Sequence, residues 1–194
     1  VSAEQLRRLR NAAFAIAREQ IQAQPAQALP LLRWLEQVVK TLDAAADPPA
    51  VEAQAYFAPG EDCLRKLREL CLGAKRVIDV CVYTISDDRL CEALVEAHRR
   101  GVKIRILSDD HKIHDDGSDV IRLRDRGIDV RLDDTAFHMH HKFALVDGRG
   151  LANGSFNWTR SATEKNDENL VVTDDANLVR VFGLQFDKLW QQFD

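Results

Sequence analysis

Cysteine is scarce in this chain. Cys63, Cys71, Cys81 and Cys91 are the only four, and none sits in a Cys-x-x-Cys pair, which argues against a zinc cluster. Cys81 lies in an apolar run and is expected to be a buried thiol. Four unpaired thiols favour a reducing compartment, and the cytoplasm is the expectation. No apolar run is long enough to span a bilayer, and no signal peptide is visible. Charge of one sign never accumulates: the formal net charge is -4, with no long acidic or basic run. A dedicated nucleic-acid binder usually advertises a basic patch. Lys103, Arg105, Arg122, Arg124 and Arg126 are the candidates for a local one, although solvated helix and strand edges explain most of them. There is no internal repeat.

At 194 residues and 45% hydrophobic composition, the chain suits one cored domain with an appendage. The appendage comes first. Leu6, Leu9, Ala13, Ile16, Ala17 and Ile21 recur at helical spacing. Gln24-Pro25 breaks that helix. A second helix from Leu29-Pro30 carries Leu31, Trp34, Leu35, Val38 and Leu42, and Asp47-Pro48-Pro49 reads as a linker. Residues 1–49 are therefore expected to form a helical hairpin. Its apolar stripe is covered by its own domain, a second copy or a protein partner. Residues 50–194 alternate strand and helix. Strands are expected near 52–57, 76–84, 102–107, 128–132, 142–146, 151–153 and 169–173. The helices fall near 61–72, 87–100, 120–126 and 176–193. Asp147-Gly148 is the signal for a tight hairpin. The pattern predicts an α/β domain with a mixed sheet flanked by helices.

One segment concentrates reactive side chains. His138-Met139-His140-His141-Lys142 is followed by Asp147, and Gly154-Ser155-Phe156-Asn157 comes shortly after. Imidazole, ammonium, hydroxyl and carboxamide together suit attack on a phosphodiester. Residues two apart on a strand share a face, so His140 and Lys142 look one way, and His141, Phe143 and Leu145 the other.

The spacing resembles the phospholipase D superfamily, whose signature reads His-x-Lys-x4-Asp, then Gly-Ser-x-Asn. His140, Lys142, Asp147, Gly154, Ser155 and Asn157 fit it, and Glu168 stands where a Glu often follows. The stretch from Tyr56-Phe57-Ala58-Pro59-Gly60 to Asn157-Trp158-Thr159 is similar to the single-motif bacterial nucleases and to the Zucchini and mitochondrial cardiolipin-hydrolase branch. The resemblance covers residues 54–194 and nothing before Ala50. It implies a phospholipase D-like fold. Because this chain holds a single His-x-Lys copy, it also implies a homodimer with one site built across the twofold axis.

The chemistry follows from the residue types. His140 can attack as a neutral imidazole and form a phosphohistidine. His140 of a second copy can protonate the leaving oxygen and then activate water. Lys142 and Asn157 would hold the non-bridging oxygens, Ser155 would add a hydroxyl donor, and Glu168 would accept a hydrogen bond from the far ring nitrogen of His140. Asp147 belongs to the signature and is counted with the catalytic set. Its strand parity and its Asp-Gly turn point instead to a structural role. His138 is a candidate to touch substrate, or else an exposed loop histidine. His141 is expected to be buried and hydrogen-bonded. His111 and His114 lie in a polar loop that could border the cleft, and Ser118 resembles a residue of the family's Gly-Ser loop. Asp133, Asp134 and His114 have no recognised metal spacing, so neither metal nor cofactor is expected.

Three functions remain open on the sequence. The first is a metal-independent endonuclease cutting DNA or RNA, single strands favoured. The second is a hydrolase of cardiolipin or a related lipid, against which stand the lack of a membrane anchor and the charged helices. The third is a partner-binding module that uses the fold as scaffold, which the intact His, Lys, Ser, Asn and Glu set argues against.

Overall fold

A computed structural model describes residues 2–46, 51–112 and 118–193. The chain divides into two compact units at the Ala50/Val51 boundary. The first is a pair of helices, α1 (Ala3–Ala23) and α2 (Ala28–Ala44), joined through a 3-10 turn at Pro25–Gln27. Ser2 and Gln5 form a capping box that satisfies the first free N–H groups of α1. The buried contact is narrower than the periodicity predicts. Ala13 and Ala17 pack on Leu35, with Val38 and Val39 beside them. Leu9, Ile16 and Trp34, expected in the stripe, are exposed. Two small side chains let the helices approach closely, and the bulkier residues are turned outward by that contact.

The second unit is built on seven strands in the order β1-β7-β6-β5-β2-β3-β4. They are β1 (Ala53–Ala58), β2 (Val77–Val82), β3 (Lys103–Ser108), β4 (Asp129–Leu132), β5 (Lys142–Val146), β6 (Gly150–Gly154) and β7 (Glu168–Thr173). β2, β3 and β4 are parallel; β5 and β7 run against their neighbours. The helices are α3 (Asp62–Gly73), α4 (Asp88–Arg99), α5 (Val120–Asp125), α6 (Arg160–Glu164) and α7 (Ala176–Gln192). α6 escaped the sequence reading because five residues are too few to show a period. Asp87 caps α4 by accepting the Arg89 N–H.

Alternation along the strands sorts the core into two layers. Ile78, Val80, Val82, Ile104, Ile106, Ala144, Ala152 and Leu170 share one layer with the apolar sides of α3, α4 and α5. Cys81, Leu107, Phe143, Leu145 and Leu151 share the other with Val179 and Phe186 of α7. Both faces of the sheet are therefore packed, which explains why successive residues are buried in Val80-Cys81-Val82 of β2 and Ile106-Leu107 of β3.

The strand directions fix where chemistry can sit. The carboxyl ends of β1, β2, β3 and β6 and the amino ends of β5 and β7 all meet on one edge of the sheet. Ligands in open α/β sheets bind at such an edge.

Candidate active site

His140 is delivered to that edge by the extended segment before β5. Met139 is buried, and its Sδ lies 3.3 Å from the Sγ of Cys81. The Cys81 thiol is itself buried, which pushes its pKa up to about 12. With Met139 plugged into the α7 layer, its neighbours His138 and His140 project the other way. Both meet the ring of Tyr83, at centroid distances of 5.5 and 4.7 Å.

Lys142 opens β5 and is only 8% exposed. Its Nζ donates to the His140 carbonyl at 2.8 Å and stands 5.1 Å from the Tyr83 centroid. The ammonium thus straps the backbone of the residue it serves beside. Burial lowers the Lys142 pKa against the opposing pull of Glu168 and Asp109. Desolvation, followed by the charges of Lys142 and His138, holds the His140 ring below its ordinary value. At neutral pH this favours the unprotonated, nucleophilic form.

The Gly-Ser-x-Asn segment is held by Asn169. The Ser155 N–H donates to Asn169 Oδ1 at 2.9 Å, and the Asn169 N–H returns a bond to Ser155 Oγ at 3.0 Å. The Ser155 hydroxyl accepts in this pair, so its own proton is left to donate. Gly154 admits no side chain, because a Cβ there would stand 2.1 Å from the Asn169 carbonyl oxygen. Asn157 carries a buried Oδ1 with no partner among the described residues.

Several expectations need correcting. The Glu168 carboxylate accepts from Asn166 Nδ2 at 3.2 Å, not from the His140 ring; it reaches the site through its charge on Lys142. His141 is exposed, edge-on to Phe143 at 5.6 Å, rather than buried and hydrogen-bonded. Asp147 lies at the far end of β5, roughly 16 Å from Lys142 at ~3.3 Å per strand residue. It adopts φ 55° at the hairpin turn. Its carboxylate accepts the backbone N–H groups of Lys75, Arg76 and Val77 at 3.0, 2.7 and 3.0 Å. Burial raises the Asp147 pKa, but these donors and Arg76 outweigh it and the net shift is downward. Ser118 precedes α5, and its Oγ is buried without a partner among the described residues. His114 falls outside the described residues.

The sequence reading missed Tyr83 and Asp109. Asp109 is wholly buried just past β3. Its Oδ2 accepts the Met139 N–H at 3.0 Å and faces His138 Nδ1 at 3.2 Å, while Oδ1 accepts the His111 N–H at 3.1 Å. The signal available was an acidic pair, Asp109-Asp110, directly after an apolar strand. Asp109, Asp110 and Asp133 bring one oxygen each within 4.8 Å of one another. Asp109 and Asp133 already accept backbone N–H groups there. Of the candidate basic patch, Arg105 is taken up by Asp79 and Asp187 and Arg122 by Asp88 and Asp119.

Two depressions flank the reactive row. A cleft of about 430 Å³ is lined by Phe137, His138, His140 and the end of α7. A shallower one of about 560 Å³ is lined by Phe57, Ser155, Glu168 and Asn169.

Comparison with known proteins agrees with this geometry. A family model described as "Cardiolipin synthase, PLD-like domain" matches residues 67–190. A protein of Chlamydomonas reinhardtii named "Mitochondrial cardiolipin hydrolase" is 52% identical over 120 residues, 62% of this chain and 54% of the relative. The chain therefore spans about half the length of that relative. A Mus musculus protein of the same name is 35% identical over 187 residues, 87% of this chain and 85% of the relative. Among solved structures, Nuc from Salmonella typhimurium, described as a phospholipase D family member, superposes with TM-score 0.69 at 28% identity. That match covers 75% of this chain and 97% of Nuc. The names of these relatives are mitochondrial and overturn the cytoplasmic expectation. Unpaired thiols report a reducing environment, which is not particular to one compartment.

Proposed function

Because this chain belongs to the phospholipase D-like family, we propose that it cleaves phosphodiesters and that its substrate is a phospholipid of the cardiolipin type. The observation that carries the lipid reading is the rim of the site. Phe137 at 82% and Phe57 at 66% are the most exposed large apolar side chains among the described residues. Each lines one of the two depressions beside the reactive row. Aromatic rings in water at the mouth of a polar site suit acyl and glycerol surface. A nucleic acid would instead ask for cations tracking successive phosphates. Neither depression is lined by Lys or Arg among the described residues. The names of the relatives point the same way.

In this reading a ring nitrogen of His140 attacks phosphorus while Lys142, Asn157 and the Ser155 hydroxyl hold the non-bridging oxygens. His140 of a second copy protonates the leaving alkoxide. The phosphohistidine is then hydrolysed by water. A single chain supplies one His140 and one Lys142, so the complete site forms between two copies.

The test is to offer cardiolipin-containing vesicles, single-stranded DNA and single-stranded RNA in parallel, in excess EDTA. Release of phosphatidic acid from the vesicles is the expected outcome. Cleavage of either oligonucleotide with intact cardiolipin would replace the lipid reading by the nuclease one.

A further inference from the structure

Lys142 is only 8% exposed, yet among the described residues no carboxylate makes an ion pair with its Nζ. Glu168 on β7, Asp109 after β3 and Cys81 on β2 act on it through charge alone, and His140 and His141 flank it on its own segment. A buried charge is costly unless something meets it. Beside the His140 carbonyl, what meets this one is the ring of Tyr83, whose centroid is 5.1 Å from Nζ. That is inside the roughly 6 Å limit of a cation–π contact. A carboxylate in the same place would neutralise the charge and occupy the N–H groups that a phosphate needs. The face of a ring favours the cation through its quadrupole and has no net charge of its own. The same ring stands 4.7 Å from that of His140. Its place is fixed by the backbone on both sides. The Tyr83 N–H donates to the His141 carbonyl at 3.0 Å, one step beyond the Val82–Lys142 pair, and the Tyr83 carbonyl accepts the Ser108 hydroxyl at 3.3 Å.

We propose that Tyr83 is a positioning residue whose ring face carries the Lys142 ammonium and leaves its full charge to the phosphate. This rests on Lys142 holding the non-bridging oxygens. Tyr83 needs no contact with the reacting atoms: it acts through Lys142, and because the same ring walls His140 it sets the spacing between cation and nucleophile. The sign of its effect is fixed by the contact. A π face stabilises the charged form only, so without it burial would act on Lys142 with less opposition and the ammonium would lose its proton at lower pH.

The experiment uses the whole chain, isotope-labelled at lysine Cε, with Tyr83 replaced by 3,4,5-trifluorophenylalanine. That side chain keeps the shape of the ring and strips its face of negative potential. Tyr83→Phe is the reference, because it keeps the face and has no phenol proton to titrate. The Lys142 signal is identified by its loss in Lys142→Gln and followed by NMR as pH rises. With the fluorinated ring its midpoint is expected roughly 0.7 pH units below that of Tyr83→Phe, the scale of one cation–π contact. The alkaline limb of kcat/KM for bis(4-nitrophenyl) phosphate, which reports the chemistry whatever the natural substrate, should move down with it. Equal midpoints in the two proteins would overturn the proposal, since a ring that merely fills space has the same effect with or without its quadrupole. A lower midpoint with a fixed alkaline limb would overturn it too, because the charge Tyr83 supports would not be the one the reaction uses. Failure of the underlying reading looks different: Lys142→Gln would then turn over the phosphodiester at a near wild-type rate, whatever the two midpoints.

Discussion

Replacing Asp147 with Asn separates a clamp from a catalyst. Two of the three N–H donors, those of Arg76 and Val77, go to Oδ1, and the third, from Lys75, goes to Oδ2. An Asn oriented with its oxygen at Oδ1 keeps the first two bonds without their charge. It turns an NH2 group toward the Lys75 N–H, so one bond is lost and its donor is left facing another. The backbone should tolerate the change, since Asn shares the aptitude of Asp for φ 55°. The exposed Lys75 N–H can recover water, so the loss should be about 1.5 kcal/mol. Ala removes both acceptor oxygens, and with them all three bonds, and adds left-handed strain, for about 3 kcal/mol. For a unit of this size those figures correspond to Tm decreases of about 5 and about 9 °C. The folded Asp147 pKa is depressed, so its contribution is complete above the ordinary carboxylate value of about 3.9. It is lost as pH falls through the lower folded value, and the gap between wild type and Asp147→Asn should close in acid. Thermal melts at pH 7 and pH 3, with turnover per folded enzyme, measure all of this. A turnover loss of about 100-fold with an unchanged Tm would refute the reasoning and return Asp147 to the reacting groups.

Gly154→Ala should distort the Asn169 clasp, because its Cβ would stand 2.1 Å from the Asn169 carbonyl oxygen; turnover on the order of 100-fold lower is expected from a misplaced Ser155, and a melt alongside the assay checks that the protein stays folded. The lowered His140 pKa keeps the nucleophile unprotonated below the usual histidine value of about 6.5. The acid limb of kcat/KM should therefore lie below that pH, and a limb at or above it would contradict the assignment. His140→Asn should fold normally yet yield no phosphoprotein adduct by mass spectrometry. Mixing that variant with wild type should lower activity as the square of the wild-type fraction if two copies share one site, whereas a linear fall would give each chain a complete one.

Much of this architecture is legible in the sequence because it is local. The Asp147-Gly148 hairpin follows from two residues able to take positive φ, and β2 and β3 from their β-branched runs. His140 and Lys142 share a face by strand parity alone. What stayed hidden depends on distant partners. The role of Asp109 is set by a Met139 N–H thirty residues later, and nothing in its neighbours announces that bond. Glu168 was placed at the site by the signature, but its hydrogen-bond partner is set by the conformation before β7, which brings Asn166 to it. In the helical unit, periodicity marked large and small apolar residues alike, whereas packing favoured the alanines.

The pairing of β1 with β7 governs how the protein comes into being. Ala58 lies opposite Glu168, and Ala53 opposite Thr173, so the first strand of the sheet has to wait for the last. Such long-range pairing makes for slow closure, and during synthesis β1 has no partner until β7 has left the ribosome. Asn169, which clasps Ser155, arrives on the same late strand. On the proposed mechanism, a nascent chain already carrying His140 and Lys142 would be inert until the sheet is finished.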